Sequence, residues 1–395
     1  MAFFHNRTVN LINLHYVIVS VALGGGGAFY SVYLLQAGLS VPIVLLATAA
    51  TLALRFVLRL MVLPLGIRIG LRRLLILSTT LMALMFPILP AVHGVDLALA
   101  CLVLVNAFAD AIYWPSYHAY FAVLGDAEHR GQQLGIREAV AAALGIVSPL
   151  AAGFLLVRFG PAVAFWTTAI VQVVSALPLL WTPDVPVAPS APGAFRVALS
   201  GVLLFVADGW IASGYFIVWQ IALFIALSRS YLAYGGALAV AALVGSLAGL
   251  LLGRLIDAGK GARAVWLAIG TILFVIALRA ASLRSPALAV VANALGAFVS
   301  CIYIPTLMTA VYNNAKRSPC VLRYHIAAEG GWDVGITSGL VVAAAITWFG
   351  FDIAWAVATA ALGAAVVFVL LRRYYAAHAS EAVDTTLTQA EEAKI

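Results

Sequence analysis

The sequence predicts an all-α membrane protein of twelve transmembrane helices in two pseudo-symmetric six-helix halves, and three observations predict it. The 395 residues are 64% hydrophobic and only 9% charged, against roughly 25% charged in soluble domains, which excludes a water-soluble core of this length. Apolar runs of about 20 residues or more, enough to cross roughly 30 Å of hydrocarbon, recur from end to end. The basic residues gather on one side of those runs, as they do in loops that stay in the cytoplasm.

The runs lie near 12–35, 41–66, 73–92, 96–123, 132–156 and 161–181, then near 197–227, 232–253, 263–282, 286–312, 322–348 and 351–372. In lipid the backbone must satisfy its own polar groups, so only helices or closed barrels can span, and these runs are too long and too evenly apolar for barrel strands. Further spans follow the first run where a cleavage site would be expected, so it is read as retained. With the N-terminus inside, Arg7, Arg68, Arg72, Arg73, Arg130, Arg196, Arg254, Lys260, Arg263, Lys316, Arg317, Arg323, Arg372, Arg373 and Lys394 face the cytoplasm, against Arg158, Arg229, Arg279 and Arg284 outside. Both termini are therefore expected in the cytoplasm. An arginine-rich, alanine-rich composition suggests a bacterial inner membrane, and the net charge of +7 reads as topology, with no nucleic-acid surface implied. Cys101, Cys301 and Cys320 are too few and too scattered for a disulfide framework or a metal knuckle.

Pro183, Pro186, Pro189 and Pro192 recur every third residue between the sixth and seventh runs. Polyproline geometry, at roughly 3 Å per residue, would let this segment reach about 40 Å. The expected division is 1–182 for the first half, 183–196 for a cytoplasmic linker, 197–378 for the second half and 379–395 for a solvated tail. Ile112-Tyr113-Trp114-Pro115-Ser116 and Ile302-Tyr303-Ile304-Pro305-Thr306 stand 190 residues apart, as do the segments at 144–150 and 334–340. Two matches at one offset predict a duplicated unit.

Six plus six helices around a cytoplasmic linker resemble the major facilitator superfamily over essentially the whole chain. The stretch Gly253-Arg254-Leu255-Ile256-Asp257-Ala258-Gly259-Lys260 resembles that family's loop signature. In the first half Gly66 to Arg73 keeps the basic end, but Leu63 and Ile67 stand where Gly and Asp would be, so the acidic latch is missing. The fourth helix has no arginine matching the family's proton-coupling pattern. The resemblance implies a secondary transporter, with the first, fourth, seventh and tenth helices lining a central cavity.

Catalytic signals are absent: the seven histidines are scattered, and the Gly253 to Lys260 stretch has the wrong spacing for a phosphate-binding loop. An enzyme and a bound cofactor are not expected. Ionisable residues inside spans are costly and so mark function by default. Asp110 and Asp208 fall near mid-depth, one from each half. Asn106, Asp110, Tyr113, Trp114 and Tyr117 form one helical stripe, Asp208, Tyr215 and Trp219 a second with Gln220 beside it, and Tyr30 and Tyr33 come from the first span. Such a pocket suits an organic cation, an amphipathic molecule or a polyol, and either carboxylate suits a proton.

A second layer lies nearer the cytoplasm. Arg55 and Arg59 on the second helix and Glu329 and Asp333 on the eleventh are both i, i+4 pairs. The family fold implies that these helices meet, so the four would form a two-rung inner gate; Arg59 reaching alone to the membrane surface is the alternative. Arg137 and Glu138 would similarly face Arg254 or Asp257. The four glycines Gly24 to Gly27 predict close helix approach or a local break. The expected function is alternating-access transport of a small solute by a monomer in the lipid bilayer, coupled to protons. A lipid or lysolipid translocator and a non-transporting sensor are the rivals.

Overall fold

Several helices start on a short polar side chain. Asn6 accepts the Val9 N–H at 3.1 Å, Asp96 accepts those of His93 at 3.0 Å and Leu99 at 2.9 Å, and Asp352 accepts that of Ala354 at 2.8 Å. The His93 and Leu99 N–H groups hold the Asp96 carboxyl below the usual carboxylate range. The computed structural model describes residues 6–124, 130–256 and 261–392, and their side chains except at 122, 130–139, 142, 249–256, 261, 262, 312, 316 and 378–392.

Among the described residues, twelve helices make up the fold. They are α1 Arg7–Gln36, α2 Val41–Ile69, α3 Leu71–Ala91, α4 Leu97–Phe121, α5 Arg130–Arg158, α6 Gly160–Trp181, α7 Leu199–Ala226, α8 Tyr231–Ala248, α9 Arg263–Ser282, α10 Pro286–Ala315, α11 Val321–Trp348 and α12 Ile353–Ala377. Eleven are long and apolar enough to span, and α5 contributes the shorter apolar stretch Ala143–Arg158. The described residues contain no strand.

Packing repeats between the halves. In the first, α1 lies against α5 and α6, α2 against α4, and α3 against α4 and α6; in the second, α7 lies against α11 and α12, α8 against α10, and α9 against α10 and α12. The halves meet along α2 with α11 and α5 with α8. Their far ends also touch: the Gln36 side chain donates to the Arg229 carbonyl at 3.0 Å, and Tyr234 Oη to that of Ala28 at 3.2 Å.

Small residues allow these approaches. Gly331, Gly335 and Gly339 form a seam on α11, where an added Cβ would run into Val202 O, Val206 O and the Ser213 side chain of α7. Gly335→Val should therefore push the two helices apart. Overpacking of this kind costs about 1–3 kcal/mol, so the midpoint of thermal unfolding in detergent should drop. Gly236→Ala, which opens onto empty space, should leave it unchanged; equal midpoints would contradict the seam.

The glycines of α1 serve both expected purposes. An added Cβ at Gly24 would meet Ser148 Oγ of α5 at 3.0 Å, and at Gly26 it would strike Thr168 of α6. The helix also breaks there, into a 3₁₀ turn at Gly26–Phe29. Its counterpart α7 breaks into a π turn at Ser213–Val218, which overlaps the same place after the 190-residue offset. Such turns free backbone geometry in mid-membrane.

Arg279 lies buried in the last turn of α9. The tail after residue 378 continues as helix to Glu392, consistent with its Ala, Glu, Gln and Leu content and its lack of Gly and Pro. The linker, irregular from 182 to 193, is not a free spacer: its polar groups are bonded to α3, α4 and α11.

Candidate functional site

The charges of α2 and α11 meet at the interface of the halves. Arg55 Nε donates to Asp333 Oδ1 at 2.6 Å, and Arg55 Nη2 closes on the same oxygen. Arg59 Nε takes the other oxygen, Oδ2, and Arg59 Nη2 reaches Glu329 Oε2 at 3.4 Å. Asp333 is wholly buried, and both arginines are nearly so. The Asp333 carboxylate lies between the two arginines, and Arg59 is buried against Asp333 and Glu329.

Asp110 of α4 joins this cluster. Its Oδ2 accepts from Arg55 Nη1 at 3.2 Å, which gives two guanidinium groups and three carboxylates. At mid-span its side chain is still 23% exposed, so space opens beside it. Tyr30, Asn106 and Thr51 surround the same place, and the buried Tyr30 hydroxyl makes no hydrogen bond of good geometry there.

Asp208 has a different environment. It accepts from Tyr303 Oη of α10 at 2.6 Å and from Trp332 Nε1 of α11 at 3.1 Å, both neutral donors. Trp332 also lies 5.1 Å from the Arg55 guanidinium. One indole thus stands between the lone carboxylate of α7 and the charge cluster.

The aromatic residues divide. Tyr113 and Tyr117 are buried between α1 and α4: Tyr113 Oη lies 3.1 Å from His15 Nε2, and Tyr117 stacks on Tyr16 at 5.3 Å. His15 Nδ1 lies 2.7 Å from the Ser175 carbonyl; that oxygen can only accept, so Nδ1 carries the proton. Tyr33 packs edge-on to Phe165 at 5.0 Å. Tyr215 and Trp219 turn into their own half, where Tyr215 Oη donates to Gly296 O at 3.1 Å, Trp219 Nε1 to Asn293 Oδ1 at 3.0 Å, and the Arg279 guanidinium covers both rings. Trp114 and Gln220 are half-buried, and Trp114 stacks on His118 at 6.0 Å. Across the interface His118 stacks on His325 of α11 at 5.5 Å. The side chains of Arg137, Glu138 and Arg254, and all of Asp257, lie outside the described residues, as does the end of the loop signature.

The sequence also matches the Major Facilitator Superfamily over residues 14–318. The chain belongs to the Major Facilitator Superfamily. Solved structures of members of its fold superpose over nearly the whole chain. A human organic anion transporter, MFSD10, aligns with a TM-score of 0.69 at 15% identity, covering 92% of this chain and 99% of its own. An auto-inhibited POT family peptide transporter aligns at 0.68 and 12% identity, covering 94% and 96%. A POT family transporter in complex with 5-aminolevulinic acid aligns at 0.69 and 11% identity, covering 93% and 95%. At these identities the likenesses show a shared fold. No curated protein matches the sequence.

Tyr303 and Trp332 were not among the sequence-derived site residues. A signal for Tyr303 existed, because it is the 190-residue counterpart of Tyr113. Each of these tyrosines faces a polar group on the first helix of its half, His15 in one case and Asp208 in the other.

Proposed function

We propose that this superfamily member is a proton-coupled secondary transporter that moves a small organic solute by alternating access, as a monomer and without chemistry on the solute. The observation that carries the reading is Asp208. Every other intramembrane carboxylate whose side chain is described, Asp110, Glu329 and Asp333, touches an arginine, whereas Asp208 has no basic partner within salt-bridge distance among the described residues. An unneutralised carboxylate at this depth is costly, so a proton or a positive charge on the solute must cover it during part of the cycle. Tyr30, Asn106, Asp110, Trp114 and Gln220 supply polar and aromatic groups for the solute, and the Arg55, Arg59, Glu329 and Asp333 cluster holds α2 to α11 until the inner side opens.

The test is flux in proteoliposomes, using a solute found by thermal-stability screening of organic compounds against purified protein. Accumulation above equilibrium under an imposed pH gradient is expected. Equilibration regardless of the gradient would remove the coupling, and no flux with any stabilising compound would remove transport. The proposed orientation has its own check. With Cys101, Cys301 and Cys320 replaced by Ser, an impermeant maleimide added to intact cells should label Val95→Cys but not Ser190→Cys; same-side labelling would overturn cytoplasmic termini.

A further inference from the structure

We propose that the linker between the halves is a cytoplasmic strap, with Asp184 and Arg323 as the two fasteners that favour the inward-closed state. The proposal rests on the alternating-access reading, because a strap matters only if the halves move.

The first fastening joins the linker to the α2–α3 turn. Gly70 turns with φ +80°, a conformation suited to glycine, and a Cβ there would occupy the space of the Asp184 carboxylate. Asp184 Oδ1 accepts the Arg72 N–H at 3.1 Å, and Oδ2 lies 3.7 Å from Arg73 Nε. Arg72 Nη1 donates to Thr182 O at 2.9 Å, and the Leu71 N–H to Val185 O at 2.9 Å. Tyr120 Oη of α4 donates to Thr182 Oγ1 at 2.7 Å. An acid from the linker thus caps α3 at the turn where Leu63 and Ile67 supply none.

The second fastening crosses to the other half. Arg323 at the inner end of α11 is buried, and its Nη2 donates to Ala188 O at 3.1 Å and to Pro189 O at 2.8 Å. Between the fastenings, Val187 and Leu322 both flank Gly66 of α2. Ala188 lies only four residue steps along the chain from Asp184, a reach of at most about 14 Å. Separation of α11 from the α2–α3 turn on the cytoplasmic side therefore has to release one fastening or the other.

Ile326 reports the opening, because it packs against Val62, Leu74 and Ile112 of the first half. In full-length protein with the native cysteines replaced by Ser, Ile326→Cys is labelled with an impermeant maleimide in inside-out vesicles. Arg323→Ala and Asp184→Ala should each speed labelling by about tenfold, the effect expected from losing charge-assisted hydrogen bonds. Ser190→Ala, on an exposed linker residue, should not. Should a point variant fail to fold, Gly-Ser repeats inserted after Ser190 slacken the strap with every fastener kept, and the same acceleration is expected. Unchanged labelling in folded variants would overturn the strap, and so would equal acceleration, measured in intact cells, at a Leu39→Cys reporter buried in the α1–α2 loop, which signals general loosening. If Ile326→Cys is never labelled in any variant, rocking of the halves fails and the strap with it.

Discussion

Replacing Asp208 by Asn is expected to abolish uphill accumulation while exchange down a gradient continues. The substitution keeps the side chain's size, and the amide can still accept from Trp332 Nε1 while donating to the Tyr303 hydroxyl, but it removes the negative charge that has no basic partner among the described residues. A one-unit pH gradient stores about 1.4 kcal/mol per proton, enough for roughly tenfold accumulation, so the variant should fall from that ratio to about one. If Asp208 instead holds a positive charge on the solute, affinity falls as well and exchange weakens. Asp110→Asn is the comparison. Asp110 is balanced by Arg55 at 3.2 Å, so its neutralisation should leave the accumulation ratio above one. Wild-type accumulation in Asp208→Asn would take this residue out of the coupling.

The largest loss of stability is expected for Arg55→Ala. The cluster carries two positive and three negative groups, and losing Arg55 leaves Asp110 without a cation and Asp333 with one instead of two. Breaking a buried pair costs about 3–5 kcal/mol, and protonation of one acid limits the loss. Asp333→Ala should cost less, because it leaves Arg55 with Asp110 and Arg59 with Glu329 in charge-balanced pairs at 3.2 and 3.4 Å. Combining Arg55→Ala with Asp110→Asn should recover part of the loss. Thermal unfolding in detergent gives the ordering, and strict additivity of the double variant would mean that the two side chains do not interact.

The fold was legible because hydropathy is additive along the chain and needs no knowledge of packing. The meeting of α2 with α11 was legible through the family resemblance, and the matching i, i+4 pairs Arg55 with Arg59 and Glu329 with Asp333 named the side chains at the contact. What the sequence hid was rotation. Tyr215 and Trp219 share a helical stripe with Asp208, yet the π turn at Ser213–Val218 re-aims them toward α9 and α10, and an ideal helical period does not foresee that shift. Asp110 and Asp208 looked equivalent by depth, and only the side-chain partners separate them. The docked linker was hidden because proline spacing sets backbone shape but not what Asp184 or the carbonyls of Ala188 and Pro189 bond to.

The central claim, that Asp208 carries the coupling charge, is tested most directly by proton movement itself. Wild-type protein and the Asp208→Asn variant are reconstituted with a pH-sensitive dye trapped inside, and the solute is added in the absence of a pH gradient. The account predicts a solute-driven pH change for wild type, and solute exchange with no pH change for Asp208→Asn. A pH change of wild-type size in Asp208→Asn, at equal solute flux, would contradict it.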